Sequence, residues 1–182
     1  MVRFLVALMS LWVFAGHAED VVMVCYNYGC LAKAEVRISD TQLEEVHGLL
    51  NGTSGAEAER AAVAEAVGLM YRLAGQQTPI WRDKAGNLAD DLVDGRMDCI
   101  DHSANTHSWL NLFSRQGWLR FHEVLPPVKR GVIFTHWAGR MGEVASRQQY
   151  VVDSWFYDHG HPAVVFTLEE WLAGARANGT FW

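Results

Sequence analysis

The order in which the hydrophobic period changes along the chain constrains its fold more than any single residue. Early segments repeat their apolar residues at helical spacing. Later ones are rich in β-branched and aromatic residues, the pattern of strands. In "AEAERAAVAEAVGLMYRLAG" (56–75), Val63, Val67, Met70 and Tyr71 recur on one helical face. Before it, "TQLEEVHGLL" (41–50) reads as a helix capped by Ser39 or Asp40, and "AEVRIS" (34–39) as a short strand. "NGTSG" (51–55) breaks the two helices. "QQTPIWRDKAGNLADDLVDGR" (76–96) is a long irregular connection, of the kind that borders clefts in compact domains.

Three strand candidates follow: "WLRFHEVL" (118–125), "GVIFTHWA" (131–138) and "QYVVDSWFY" (149–157). Thr167 and Glu170 then form a capping-box pattern that opens a short helix, "LEEWLAGA". Helices followed by a mostly antiparallel run of strands define an α+β protein. At 182 residues, half of them apolar, the chain suits one domain over 19–182 with a full core. A net charge of −6 without a long basic run argues against nucleic acid as a partner.

The first eighteen residues read differently. Met1-Val2-Arg3 is a short positive region, Phe4 to Phe14 an apolar run, and Ala15-Gly16-His17-Ala18 a small-residue cleavage pattern. That is the form of a secretory signal peptide over 1–18, and the run is short for a bilayer-spanning helix. No later segment is long and apolar enough to span, so the expected mature chain is exported, periplasmic or secreted, without a membrane span. In an oxidising compartment Cys25 and Cys30, in "VCYNYGC", are expected to form a disulfide across a tight bend at Asn27 and Gly29. Cys99 is left over, as a reactive thiol, an intermolecular partner or a buried inert residue.

Cys99 lies in "RMDCIDHSANTHSW" (96–109). Asp98 is a good N-cap, Asp101 three residues on completes a box, and Cys99 becomes the first helical residue. Free backbone N–H groups and the positive end of the helix dipole favour a thiolate there, while the two acidic neighbours oppose it. A cysteine nucleophile needs an imidazole to take its proton and a third group to orient the ring. His136 and Asp153 lie in successive strand candidates that could converge over the helix start. An Asp inside the apolar run Tyr150 to Trp155 also needs a partner to be buried.

"MDCIDHSANT", "FTHWAGR" and "YVVDSW", in that order, resemble the Cys, His and Asp boxes of the transglutaminase-like cysteine proteinase superfamily, with its secreted, papain-like bacterial members nearest. The resemblance runs from about Gly95 to Asp153. It implies a papain-like fold in which the nucleophile-bearing helix packs on an antiparallel sheet. It also implies Cys99 as nucleophile, His136 as general base and Asp153 as orienting group, acting on a protein or peptide substrate with no organic cofactor. The oxyanion donor is open: the Cys99 N–H is one contributor, and Gln76, Gln77 or Trp81 could add another. Some relatives depend on calcium, and the acidic loop "DDLVDGRMD" (90–98) could hold it, although a solvated loop explains the same residues.

Two other readings compete. Cys99 with His102, and Asp98 with His102, share a helix face as metal ligands would, and "DHGHP" adds His159 and His161. No HExxH or paired CxxC spacing accompanies them. A secreted binding module of the same fold without the chemistry would suit Trp109, Trp137 and Trp155 in a cleft equally well.

Overall fold

The computed structural model describes residues 20–86 and 90–177. The signal peptide expected over 1–18 lies outside the described residues. The molecule is α+β. A two-stranded antiparallel hairpin, β1 (Asp20–Tyr26) and β2 (Ala32–Ile38), precedes helices α1 (Asp40–Leu50) and α2 (Ala56–Gly75). A 3-10 turn over Pro79–Arg82 and an irregular stretch lead to helix α3 (Cys99–Arg115). Strands β3 (His122–Arg130), β4 (His136–Glu143), β5 (Gln149–Asp153) and β6 (Val164–Thr167) form an antiparallel meander, and α4 (Leu168–Leu172) follows. No helix among the described residues is long and apolar enough to cross a membrane.

Helix α3 is the central element, packed against β1 on one side and against β3, β4 and β5 on another. Its Trp109, Leu110, Leu112 and Phe113 are fully buried with Val46, Val63, Val67 and Met70 of α1 and α2. Each such side chain contributes about 1.5–3 kcal/mol relative to exposure. Trp109 is therefore core and forms no part of a cleft. Asn105 of α3 fixes the hairpin: its side chain accepts from Cys25 N at 2.7 Å and donates to Cys25 O at 2.8 Å. The amide thus serves as a substitute strand partner for the end of β1.

A buried carboxylate joins the first turn of α2 to the sheet. Glu59 accepts from the backbone N–H of Arg120 at 2.7 Å and Phe121 at 3.0 Å and pairs with His122 Nδ1 at 2.9 Å. Burial alone would raise its pKa, but the His122 bond and the two N–H donors outweigh burial and hold the carboxyl below its ordinary range. His122, which could have faced either way, therefore points inward, while Glu123 is exposed.

The strand boundaries differ from the sequence expectation. The strand expected at 118–125 starts at His122 and continues through Pro126 and Pro127, with a register shift between Leu125 and Val128 that accommodates the prolines. The strand expected at 131–138 is displaced to 136–143, and residues 131–135 form the exposed β3–β4 connection. The third ends at Asp153, where the chain turns. Strands β1, which runs into the Cys25–Cys30 bend, and β6, only four residues long, add to those expected.

Gly68 sits in the middle of α2, where alanine normally stabilises a helix by about 1 kcal/mol. A Cβ at this position would lie 2.8 Å from His161 O and 2.9 Å from Pro162 N, both backbone atoms of the segment that Ala163 N ties to Ala64 O. The contact reverses the usual sign. Gly68→Ala should destabilise the protein by about 1–3 kcal/mol in urea unfolding, whereas Gly48→Ala, which meets no atom, should not.

Candidate active site

Cys99 occupies the first turn of α3. Asp98 caps the helix, accepting from Ile100 N and Asp101 N at 3.0 Å each, and Asp101 accepts in return from Asp98 N at 3.2 Å. The box consumes the N–H groups on either side of the thiol. The N–H of Cys99, at the first helical position, has no acceptor within the helix itself.

The cap is anchored from outside the helix. Asp101 is fully buried and also accepts from Cys30 N at 2.6 Å. Burial, then the nearby Asp98 charge, push its carboxyl up to about 6 against these N–H donors. Cys30 is bonded to Cys25 in the expected disulfide. Four successive residues between and including the bend, Asn27, Tyr28, Gly29 and Cys30, have φ of 58–65°. That left-handed turn is costly for the three that are not glycine. It is held by partners on the 90–96 segment: Asn27 N donates to Arg96 O, Gly95 N donates to Asn27 Oδ1, and the Tyr28 hydroxyl donates to Asp90 at 2.5 Å.

His136 begins β4, and Asp153 ends β5 beside it. His136 Nε2 lies 2.6 Å from Asp153 Oδ2, which leaves Nδ1 as the other face of the ring. Trp171 Nε1 donates to the same Oδ2 at 2.9 Å and Trp155 N donates to Oδ1 at 3.2 Å. Asp153 is only 1% exposed and is nonetheless well supplied with donors. The His136 ring is enclosed by Trp155, Trp171 and Phe156, with centroids at 4.9, 5.5 and 5.9 Å. Burial alone would lower the imidazole pKa. The bond to Asp153, the nearby Cys99 and the Asp153 charge prevail and raise it to about 9. Cys99 Sγ also lies 3.8 Å from Thr135 O.

Cys99 and His136 open onto one cleft of about 900 Å³, whose walls include Tyr28, Ile133, Phe134 and Trp155. Gln76, Gln77 and Trp81 are not among its walls. The Gln77 amide instead pairs with the backbone of Arg37 on β2, so none of the three is placed to serve as an oxyanion donor. Trp137 is likewise absent from the walls and lies under Lys129, whose Nζ is 5.8 Å from its ring.

Behind Cys99, one turn along α3, His102 is buried with both ring nitrogens engaged, Nε2 to Asp83 and Nδ1 to Ser154 Oγ, each at 2.9 Å. Ser154 also bonds Thr106 and Tyr71 hydroxyls at 3.1 Å. This network fixes the turn after Asp153 against the helix that bears Cys99. The metal-ligand pairing of His102 with Cys99 or Asp98 that the sequence offers is not formed, since both ring nitrogens are taken by Asp83 and Ser154. The sequence had no signal for Ser154, Trp171 or Tyr28, since each acts through distant partners.

Among the described residues, the group with metal-site spacing is Cys25, Cys30 and Asp101, whose two sulfurs are bonded to one another. In the acidic loop, Asp90 pairs with Tyr28 and Arg96, Asp94 with Asn27 and Arg82, and Asp98 caps α3. No protein-family model, curated protein or solved structure matches the chain.

The raised His136 value has a pH signature. The folded-state pKa of about 9 exceeds the ordinary 6.5, so the protonated ring stabilises the fold fully below 6.5, and that contribution is lost as pH rises through 9. The stability deficit of His136→Gln relative to wild type should therefore shrink between these values in urea unfolding. Asp153→Asn should move the His136 titration, followed by NMR, to lower pH.

Proposed function

We propose that this protein is an exported cysteine-dependent acyl-transfer enzyme, a peptidase or amidase, with the papain-like fold of the transglutaminase-like cysteine proteinase superfamily. The observation that carries the reading is that Cys99, at the start of α3, and His136, held by Asp153 at 2.6 Å, open onto one large cleft. The disulfide suits an oxidising compartment.

In this mechanism His136 takes the thiol proton, and the imidazolium is held by Asp153 while Sγ attacks the amide carbonyl. The N–H of Cys99 donates to the developing oxyanion. The C–N bond breaks as His136 returns its proton to the leaving amine, leaving a thioester on Cys99. His136 then removes a proton from water, or from an acceptor amine, which attacks the thioester and releases the thiol. The Trp171 and Trp155 donors to Asp153 keep that carboxylate an acceptor, so it orients the ring without taking its proton. The same fold could also serve as a binding module without chemistry, and the two readings separate on the reactivity of Cys99.

Iodoacetamide labelling at about pH 5.5 provides the test. An imidazole-paired thiolate reacts there while an ordinary thiol is protonated. Wild type should alkylate at least about tenfold faster than free cysteine, and His136→Ala should fall to the free rate. Equal, slow labelling of both proteins would sink the acyl-transfer reading in favour of a binding module.

A further inference from the structure

The two halves of the Cys25–Cys30 disulfide are held in different ways. Cys25 is buried at the end of β1, and Asn105 of α3 binds both its N–H and its carbonyl. Cys30 is half-buried and stands between two exposed residues, Gly29 and Leu31. A Cβ on Gly29 would meet no atom, so this flank of the bend faces open space. Cys30 is therefore the half open to an attacking thiolate.

Cys30 is also the half that reaches the candidate site. Its N–H donates to Asp101 at 2.6 Å, and Asp101 in turn accepts Asp98 N at the start of α3. One Asp101 oxygen and the two sulfurs lie within 4.8 Å of one another. Tyr28, inside the disulfide loop, forms part of the cleft wall together with Cys99.

We propose that the Cys25–Cys30 disulfide is a redox switch for the Cys99 cleft, opened by a dithiol reductant and closed again by a disulfide oxidant. A thiolate of the dithiol attacks Cys30 Sγ, and Cys25 Sγ leaves as a thiolate and takes up a proton. The second thiol of the reductant loses its proton and attacks its own partner sulfur in the mixed disulfide. Cys30 then leaves and is protonated. The reductant ends as a disulfide, having given up two electrons and two protons.

Reduction reaches Cys99 by two routes. The crosslink ties the bend to the strand end that Asn105 anchors. Without it, Asn27, Tyr28 and Cys30 keep their left-handed conformations by hydrogen bonds alone. Relaxation of the bend takes the Cys30 N–H from Asp101 and Tyr28 from the cleft wall. The two new thiols are also donors beside Asp101, where they compete with Asp98 N for its oxygens. Asp101 is fully buried, so a donor lost there is costly, and the first turn of α3 frays. Oxidised protein thus holds Cys99 in place, and reduced protein releases it. This coupling rests on the fold alone; that it turns catalysis on and off rests on the acyl-transfer reading.

Native-state hydrogen exchange of the mature chain, before and after treatment with dithiothreitol, tests the switch. Reduction should speed exchange at Ile100, Asp101 and His102 at least about tenfold and leave Leu110 and Phe113 protected. Oxidised dithiothreitol should reverse the change, and Cys25→Ser/Cys30→Ser should exchange like the reduced protein. Alkylation of Cys99 at about pH 5.5, followed on its own peptide by mass spectrometry once the reductant is removed, should slow at least about tenfold on reduction. Slow Cys99 labelling in the oxidised protein as well would count against the acyl-transfer reading, while the exchange rates still decide the switch. A disulfide that dithiothreitol reduces only in urea, or first-turn amides that reduction leaves unchanged, would overturn the proposal. Loss of protection at Leu110 and Phe113 on reduction would do the same, since the bond would then be a crosslink of the whole fold.

Discussion

The start of α3 is the point on which the rest of the molecule depends. A helix that begins inside a protein exposes backbone N–H groups that must find acceptors. Here two aspartates of one short stretch supply them, Asp98 from the cap and Asp101 from the first turn. Asp101 has a second oxygen to spare, and it accepts Cys30 N across the disulfide loop. One buried carboxylate therefore connects the helix start, the β1–β2 bend and, through Asn27 and Tyr28, the 90–96 segment. The left-handed bend that makes this possible is costly by itself, and the disulfide with its flanking hydrogen bonds holds it in place. Cys99 inherits a fixed position because everything around it is being used to satisfy the helix.

A second constraint acts from the sheet. Asp153 is buried at the end of β5, and a carboxylate there persists only with donors on both oxygens. It has His136, the Trp171 indole and the Trp155 backbone. The aromatic enclosure removes water from the His136 ring, which would ordinarily disfavour its charge; the pair with Asp153 and the contact with Cys99 reverse that. The hydroxyl–imidazole network of His102, Ser154, Thr106 and Tyr71 joins these two constraints, since it ties the turn after Asp153 to α3. Helix and sheet thus meet at a seam that is polar, buried and closely paired, and the cleft opens at its end.

Much of this was legible beforehand where the physics is local. The capping boxes at Asp98–Asp101 and Thr167–Glu170 depend on residues three apart, and both form as the sequence predicts. The periodicity of 56–75 gives α2 with its expected limits, and Cys25 and Cys30 pair. The later strands were less legible because composition and burial part ways. "GVIFT" carries the apolar, β-branched residues of a buried strand, yet lies exposed at a hairpin tip. "VLPPVKR" contains two prolines and is a strand nonetheless, since a register shift absorbs them.

Local chemistry in the sequence was enough to determine an α+β chain, the start of α3, the placement of Cys99 in its first turn, and the disulfide. It could also nominate His136 and Asp153, because a buried aspartate in an apolar strand calls for a partner. Only the tertiary structure decided which groups meet. It brought His136 to Asp153, while the nearer His102 is turned inward to Asp83 and Ser154. It also placed three apolar residues in the open beside the cleft. The physical reason is the same in each case: caps and short loops depend on neighbours a few residues away, whereas side-chain meetings and burial depend on strand register and packing across the whole chain.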